Sequence, residues 1–170
     1  MTDSIGKDVE VHRLCRPNYH VSGHAISGAT VEEAETFARV FASRPQKPDA
    51  MIIHVGTNDL YPKPGSDNTS KPALSEKGVA DKIDGMMIRL GNDFPGTKFI
   101  MSKLTVREDH GKEGNTKVKN VNSYLTKLKH PQIDNSEIAA THLNGSKLHL
   151  HKGGTAKLVQ NFSKYLSSIY

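Results

Sequence analysis

The side chains that could do chemistry stand at four separated places: Asp3-Ser4, Gly28, Gly56-Thr57-Asn58-Asp59, and His149 between Leu148 and Leu150. A serine hydroxyl becomes a nucleophile when a base lies within hydrogen-bond reach. Acyl transfer also needs donors aimed at the oxygen where negative charge develops. Ser4 is a candidate nucleophile, and a helix N-cap serine is its structural alternative. His149 is a candidate base; the chain has nine histidines, and His142 and His151 stay open beside it. Gly28 would let a backbone N–H approach a ligand closely, and the Asn58 amide is a neutral donor that buries no charge. A turn glycine and a turn or helix cap are the plain readings of these two residues. His149 and His151 alternate along an extended stretch as metal ligands could, but no carboxylate or cysteine stands beside them, so no metal or other cofactor is implied. Lys152-Gly153-Gly154-Thr155 lacks the spacing of a phosphate loop and reads as a helix start.

The elements that must position these residues follow from hydrophobic periodicity. Met51 to Val55 is a short apolar run bounded by Pro48-Asp49 and Gly56, the pattern of a buried parallel strand. Its carboxyl end, where ligands bind in open α/β sheets, carries the Gly56–Asp59 quartet. Ile5 to about His12 predicts a short helix, and Tyr19 to Ile26 a strand ending at Ser27-Gly28, with Tyr19 and Val21 inward. Thr30-Val31-Glu32-Glu33 is a capping box, after which Ala34, Phe37, Ala38 and Phe41 keep helical spacing to about Ser43. Residues 61–73 form a loop over the active edge. Val79, Ile83, Met86, Met87, Leu90 and Phe94 mark a long helix ending near Gly91-Asn92, and Lys98 to Leu104 the next strand. A charged loop, 107–115, precedes a helix carrying Val118, Val121, Leu125 and Leu128, stopped by His130-Pro131. A short strand over 132–138 and a last helix from about Gly154 complete the chain, the helix burying Leu158, Phe162, Tyr165, Leu166 and Ile169. Strands alternating with helices predict a three-layer α/β/α sandwich with a parallel, flavodoxin-like sheet in one domain, 1–170.

Composition narrows the class. The 170 residues are 35% hydrophobic and 24% charged, suited to a globular chain with a core. The net charge of +5 comes largely from spaced lysines late in the chain; no aromatic or arginine cluster joins them, so nucleic acid is a weakly supported partner. One cysteine, Cys15, excludes an intrachain disulfide. No apolar run spans a bilayer and no signal peptide is seen, which predicts an intracellular, cytoplasmic protein.

The four blocks together resemble those of the SGNH (GDSL-type) hydrolases. Thr2-Asp3-Ser4-Ile5 is similar to the block that carries the nucleophile, and Ser27-Gly28-Ala29-Thr30 to the second block. Gly56-Thr57-Asn58-Asp59 is similar to the third, and Leu148-His149-Leu150 with Gly153-Gly154 to the last. They occur in family order, and the nearest likeness within the family is to the esterase-like domains of non-LTR retrotransposon proteins. The resemblance implies a Ser4 nucleophile and a His149 base. It implies an oxyanion hole made of the Ser4 N–H, the Gly28 N–H and the Asn58 amide, with Asp3 in support. The substrate it implies is a small acyl ester, such as an O-acetyl group. Three departures favour an alternative, an inactive ligand- or partner-binding module of a retroelement-derived protein. Ser146 stands where the family has its triad acid, three residues before the histidine, and Thr2 where it has glycine. The family also places a hydrophobic strand before the Asp-Ser turn, at the centre of the sheet. Only Met1 and Thr2 precede Asp3 here, so the first, central strand is expected to be truncated, in a fragment or in a sheet without its middle.

Overall fold

The computed structural model describes residues 1–3, 9, 14–61 and 73–170. The helix expected over 5–12, apart from Val9, and most of the 61–73 loop lie outside these residues.

Three strands form a parallel sheet in the order β1 (Ala50–Ile53), β2 (Lys98–Ser102), β3 (Gln132–Ile133). Alternation sends successive side chains to opposite faces. Met51 and Ile53, with Phe99 and Met101, enter one apolar cluster; Ala50 and Ile52, with Ile100 and Ile133, join the other. Parallel strands need crossovers, and helices supply them. On the first face lie α1 (Val31–Ala42), α3 (Glu76–Asp93) and α4 (Gly111–Leu125), and on the second lies α5 (Lys152–Ile169), which contributes Leu158 and Phe162. The result is the expected three-layer α/β/α sandwich. Side chains such as Ile83, Leu90 and Leu158 are buried completely or nearly so, each contributing about 1.5–3 kcal/mol of hydrophobic stabilisation.

The middle of the sheet is held by the short first strand. Thr2 forms parallel bridges to both Ala25 and His54, so Met1–Asp3 is a three-residue strand inserted beside β1. Thr2 N–H donates to the His24 carbonyl (3.0 Å) and Ile26 N–H to the Thr2 carbonyl (3.1 Å); Asp3 N–H donates to the His54 carbonyl (3.1 Å). The carboxyl end of the sheet is thereby paired across its centre.

Other boundaries shift for physical reasons. Tyr19–Ile26 is not a regular strand: only Ala25 bridges in parallel, because Thr2 is its one partner, while Tyr19 closes a tight antiparallel turn with Arg16. Phe37, expected inward, is 42% exposed; α1 instead lays Val31, Ala34, Ala38 and Ala42 against the core, small residues that let it pack closely. The charged loop ends earlier than expected, since α4 already starts at Gly111 (φ 64°), and that helix stops at Leu125, before His130-Pro131. The strand over 132–138 is reduced to two residues. The Thr30 capping box forms as expected, with Glu33 accepting from the Thr30 N–H at 2.8 Å.

Candidate active site at the carboxyl edge of the sheet

Three segments reach the carboxyl edge side by side: Asp3 after the short central strand, Gly28 beyond Ile26, and Asn58 beyond β1. Asp3 is buried (1% exposed) and adjoins Ser4, which lies outside the described residues. Gly28 has φ 78°, a left-handed backbone that a side chain would strain, and leads within two residues into the amino end of α1. Gly56 (φ 124°) turns the chain out of the sheet into α2 (Thr57–Leu60), a single turn. A Cβ at residue 56 would lie 3.0 Å from Ile83 Cδ1 and 3.2 Å from Val79 Cγ1, so the quartet must begin with glycine. Thr57 and Asp59 are buried, and Asn58 between them is half-buried. The Asn58 amide donates to the Ala29 carbonyl at 3.0 Å, which joins the second and third blocks directly.

His149 is half-buried on a hairpin-like turn ahead of α5. Leu143 and Leu150 form an antiparallel bridge, Asn144 N–H donates to the His149 carbonyl (2.8 Å), and His151 N–H to the His142 carbonyl (2.9 Å). Lys147 takes the left-handed position (φ 56°). Ser146 Oγ donates to Asn144 Oδ1 and accepts from the N–H groups of Leu148 and His149, each at 3.3 Å. The Glu108 N–H donates to the Lys147 carbonyl at 2.7 Å, tying this turn to the segment after β2. The other two histidines have structural work. His151 caps α5, its Nδ1 accepting from Gly153 and Gly154 N–H while Nε2–H donates to the Thr141 carbonyl (2.8 Å). His142 Nδ1 accepts from Ala139 N–H at 3.0 Å. A Cβ on Gly154 would lie 2.5 Å from the His142 carbonyl oxygen, so this turn and the helix start require glycine there.

Among solved structures the chain is similar to a lipase/acylhydrolase from Enterococcus faecalis, with TM-score 0.70, 15% identity, and 98% of this chain and 93% of that one covered. It is also similar to a member of the lipolytic protein G-D-S-L family from Veillonella parvula (TM-score 0.74, 14% identity, 98% and 95% covered). A third likeness is to a catalytic mutant of an acetylxylan esterase from Geobacillus stearothermophilus (0.58, 20%, 86% and 71%). The fold is that of the SGNH (GDSL-type) hydrolases. No family model and no curated protein matches the sequence.

Within this SGNH fold, three residues outside the expected roles support the edge. Arg107 is 3% exposed; its Nη1 donates to the Thr57 carbonyl (3.1 Å), its Nε to Asp109 Oδ1 (2.7 Å), and its guanidinium lies over the Tyr61 ring. It therefore holds the residue before Asn58. Asp59 Oδ2 accepts from the Val31 N–H (2.9 Å), fixing α1 beside the Gly28 turn, and Oδ1 faces Lys82 Nζ at 3.3 Å. Burial pushes the Asp59 carboxyl upward, the Val31 N–H and Lys82 pulling the other way. His54 is fully buried, its Nδ1 3.0 Å from Ser102 Oγ, which also accepts from Asn135. Burial, with the nearby Met1 amine second, brings the imidazole down to about 4. Periodicity marks none of these roles, because the partners that join separate segments here, Val31 and Lys82 for Asp59, Thr57 for Arg107 and Ser102 for His54, lie 23 to 50 residues away. No helix among the described residues is long and apolar enough to cross a membrane.

Proposed function

We propose that the chain is an SGNH-type serine esterase acting on small acyl esters. The Ser4 hydroxyl would attack the ester carbonyl while His149 accepts its proton. The resulting oxyanion would be held by the N–H groups of Ser4 and Gly28 and the Asn58 amide. His149 then returns the proton to the leaving alcohol, and water, deprotonated by the same imidazole, releases the acyl group and regenerates Ser4. The observation that carries this reading is the bond from Asn58 to Ala29, which brings the Gly28 turn and the Asn58 amide to one edge, where Asp3 also ends. The engagement of both His151 nitrogens, Nδ1 in capping α5 and Nε2 with the Thr141 carbonyl, supports His149 as the base.

The test is hydrolysis of a short-chain aryl ester by the folded protein and by Ser4→Ala. A nucleophile's loss costs many orders of magnitude in rate, far beyond a packing effect. Abolished turnover in Ser4→Ala supports the esterase; equal rates in the two proteins refute it. One observation favours a second reading, a non-catalytic ligand-binding module. The position of the family's acid is held by Ser146, whose hydroxyl is committed to the turn through Asn144, Leu148 and His149. No hydrolysis by the wild type, together with saturable binding of an ester or its product acid, would select it.

A further inference from the structure

The segment that follows β2 lies between the arm that carries Asn58 and the turn that carries His149. Asn58 stands on α2, a single turn, and so short a helix does not fix its own backbone. Its tethers come from outside. Asp59 Oδ2 accepts from the Val31 N–H and the Asn58 amide donates to the Ala29 carbonyl, and both of these lead toward the Gly28 turn. Another tether, from Arg107 Nη1 to the Thr57 carbonyl at 3.1 Å, leads the other way. The next residue, Glu108, donates its N–H to the Lys147 carbonyl at 2.7 Å. Lys147 belongs to the turn in which the Asn144 N–H is bonded to the His149 carbonyl. Adjacent residues of one segment thus grip both arms.

That segment is itself held in place. Lys103 N–H donates to the Ile133 carbonyl, and Asn122 of α4 clamps Leu104, its Nδ2 on the carbonyl and its Oδ1 on the N–H, each at 2.9 Å. Arg107 Nε and Nη2 fork onto the two oxygens of Asp109 at 2.7 and 2.5 Å, which leaves Nη1 aimed at Thr57. Burial alone would raise the Asp109 carboxyl, but hydrogen bonding and charge from Arg107 bring it below its ordinary value, so the fork is an ion pair at neutral pH. Burying a cation is costly. What the guanidinium adds over an apolar side chain is direction: two donors are anchored and a third is aimed.

We propose that Arg107 is a positioning residue of the esterase, holding the Asn58 amide in register with His149 through the Thr57 carbonyl. The inference rests on the esterase reading, in which Asn58 holds the oxyanion and His149 carries the proton. Arg107 is buried and acts on the reaction through Asn58. Its effect belongs to the transition state, where the Asn58 amide must meet the developing charge, and hardly to ground-state binding. Displacing a positioned group by about 1 Å can cost about 10²-fold in rate.

The experiment compares the whole chain with Arg107→Lys and Asp109→Asn, each alone and combined with Asn58→Ala, at a temperature where the variants are folded. In Arg107→Lys a single ammonium meets the Asp109 carboxylate and gives up the Thr57 carbonyl. Asp109→Asn keeps the guanidinium but removes the charge that anchors it. On a short aryl ester, Arg107→Lys should lower kcat by about tenfold or more and change KM by less than about twofold. Asp109→Asn should act in the same direction by a smaller factor, and it carries the test if the lysine variant does not fold. In the Asn58→Ala background neither change should lower kcat by more than about twofold further, because the group they displace is gone. Urea midpoints report the structural part alone and should fall equally in both backgrounds. Equal losses of kcat in both backgrounds, or an unchanged kcat in the folded variants, overturn the proposal. The side-chain amide resonances of Asn58 report its placement without turnover. They should shift in both variants, and unshifted signals also overturn the proposal. A wild type that hydrolyses no ester refutes the esterase reading, and the Asn58 signals then still decide whether Arg107 fixes Asn58.

Discussion

The amide of Asn58 donates to the carbonyl of Ala29, 29 positions earlier in the chain, at 3.0 Å. One contact thus sets both the donor expected at the oxyanion and the turn that carries Gly28. Asn58→Ala should lower kcat/KM for a short aryl ester by about 10²–10³-fold, the usual cost of one oxyanion donor. Unfolding free energy should fall by only about 1 kcal/mol, the net value of one hydrogen bond. Steady-state kinetics beside urea denaturation separates the two effects; a loss of rate no larger than the loss of stability would remove Asn58 from the site.

Gly56 opens the quartet with φ 124° and no room for a Cβ against Ile83 and Val79. Gly56→Ala should destabilise the protein by roughly 2–5 kcal/mol, combining backbone strain with overpacking of α3. The fall in urea midpoint measures it. Gly91→Ala, with nothing within 4 Å of the added methyl, is the matched control and should stabilise α3 slightly.

Asp59 joins α1 to the third block through the Val31 N–H. Asp59→Ala leaves that buried donor unpaired and should cost about 1–3 kcal/mol. Asp59→Asn keeps an acceptor and should cost less. Lys82 retains Glu32 at 3.1 Å in both variants, which limits the loss. Because burial raises the Asp59 carboxyl in the folded state, the native protein holds this proton more tightly than the unfolded chain. Its contribution to stability is therefore greatest at low pH and is lost as pH rises from the ordinary carboxylate range through the raised value. Chemical denaturation at several pH values should show this slope flattened in Asp59→Asn.

His54 acts with the opposite sign. Its imidazole is lowered from 6.5 to about 4, so between those values the unfolded chain binds a proton that the native state refuses. Stability should fall as pH drops from about 6.5 toward 4, by up to roughly 3 kcal/mol, and be constant with respect to this group above that window. His54→Gln should abolish most of that dependence, read from urea midpoints between pH 4 and 7. An unchanged slope in the variant would assign the acid sensitivity to other groups, the buried Met1 amine among them.

Local signals in the sequence determined a large part of this molecule. Short apolar runs and spacings near four residues located β1, β2, α1, α3 and α5, and the Thr30–Glu33 box marked a helix start to the residue. These patterns are legible because they arise from contacts within a few positions or from one face meeting a core. The glycine at 56 was legible as the end of the strand, but that only a backbone without Cβ fits its exit beneath α3 was decided by the tertiary structure. What only the tertiary structure decided depends on partners remote in the chain. Residues 19–26 have strand-like composition, yet a strand needs a neighbour of matching length, and Met1–Asp3 offers only three residues. Phe37 keeps helical spacing with the buried stripe, but the separation of α1 from the core admits alanine there and turns the larger ring outward. Arg107 against the Tyr61 ring and Asp59 on the Val31 N–H have no local signature. Each is set by a loop brought alongside by the fold, and a hydrogen bond between remote residues leaves no period in the sequence.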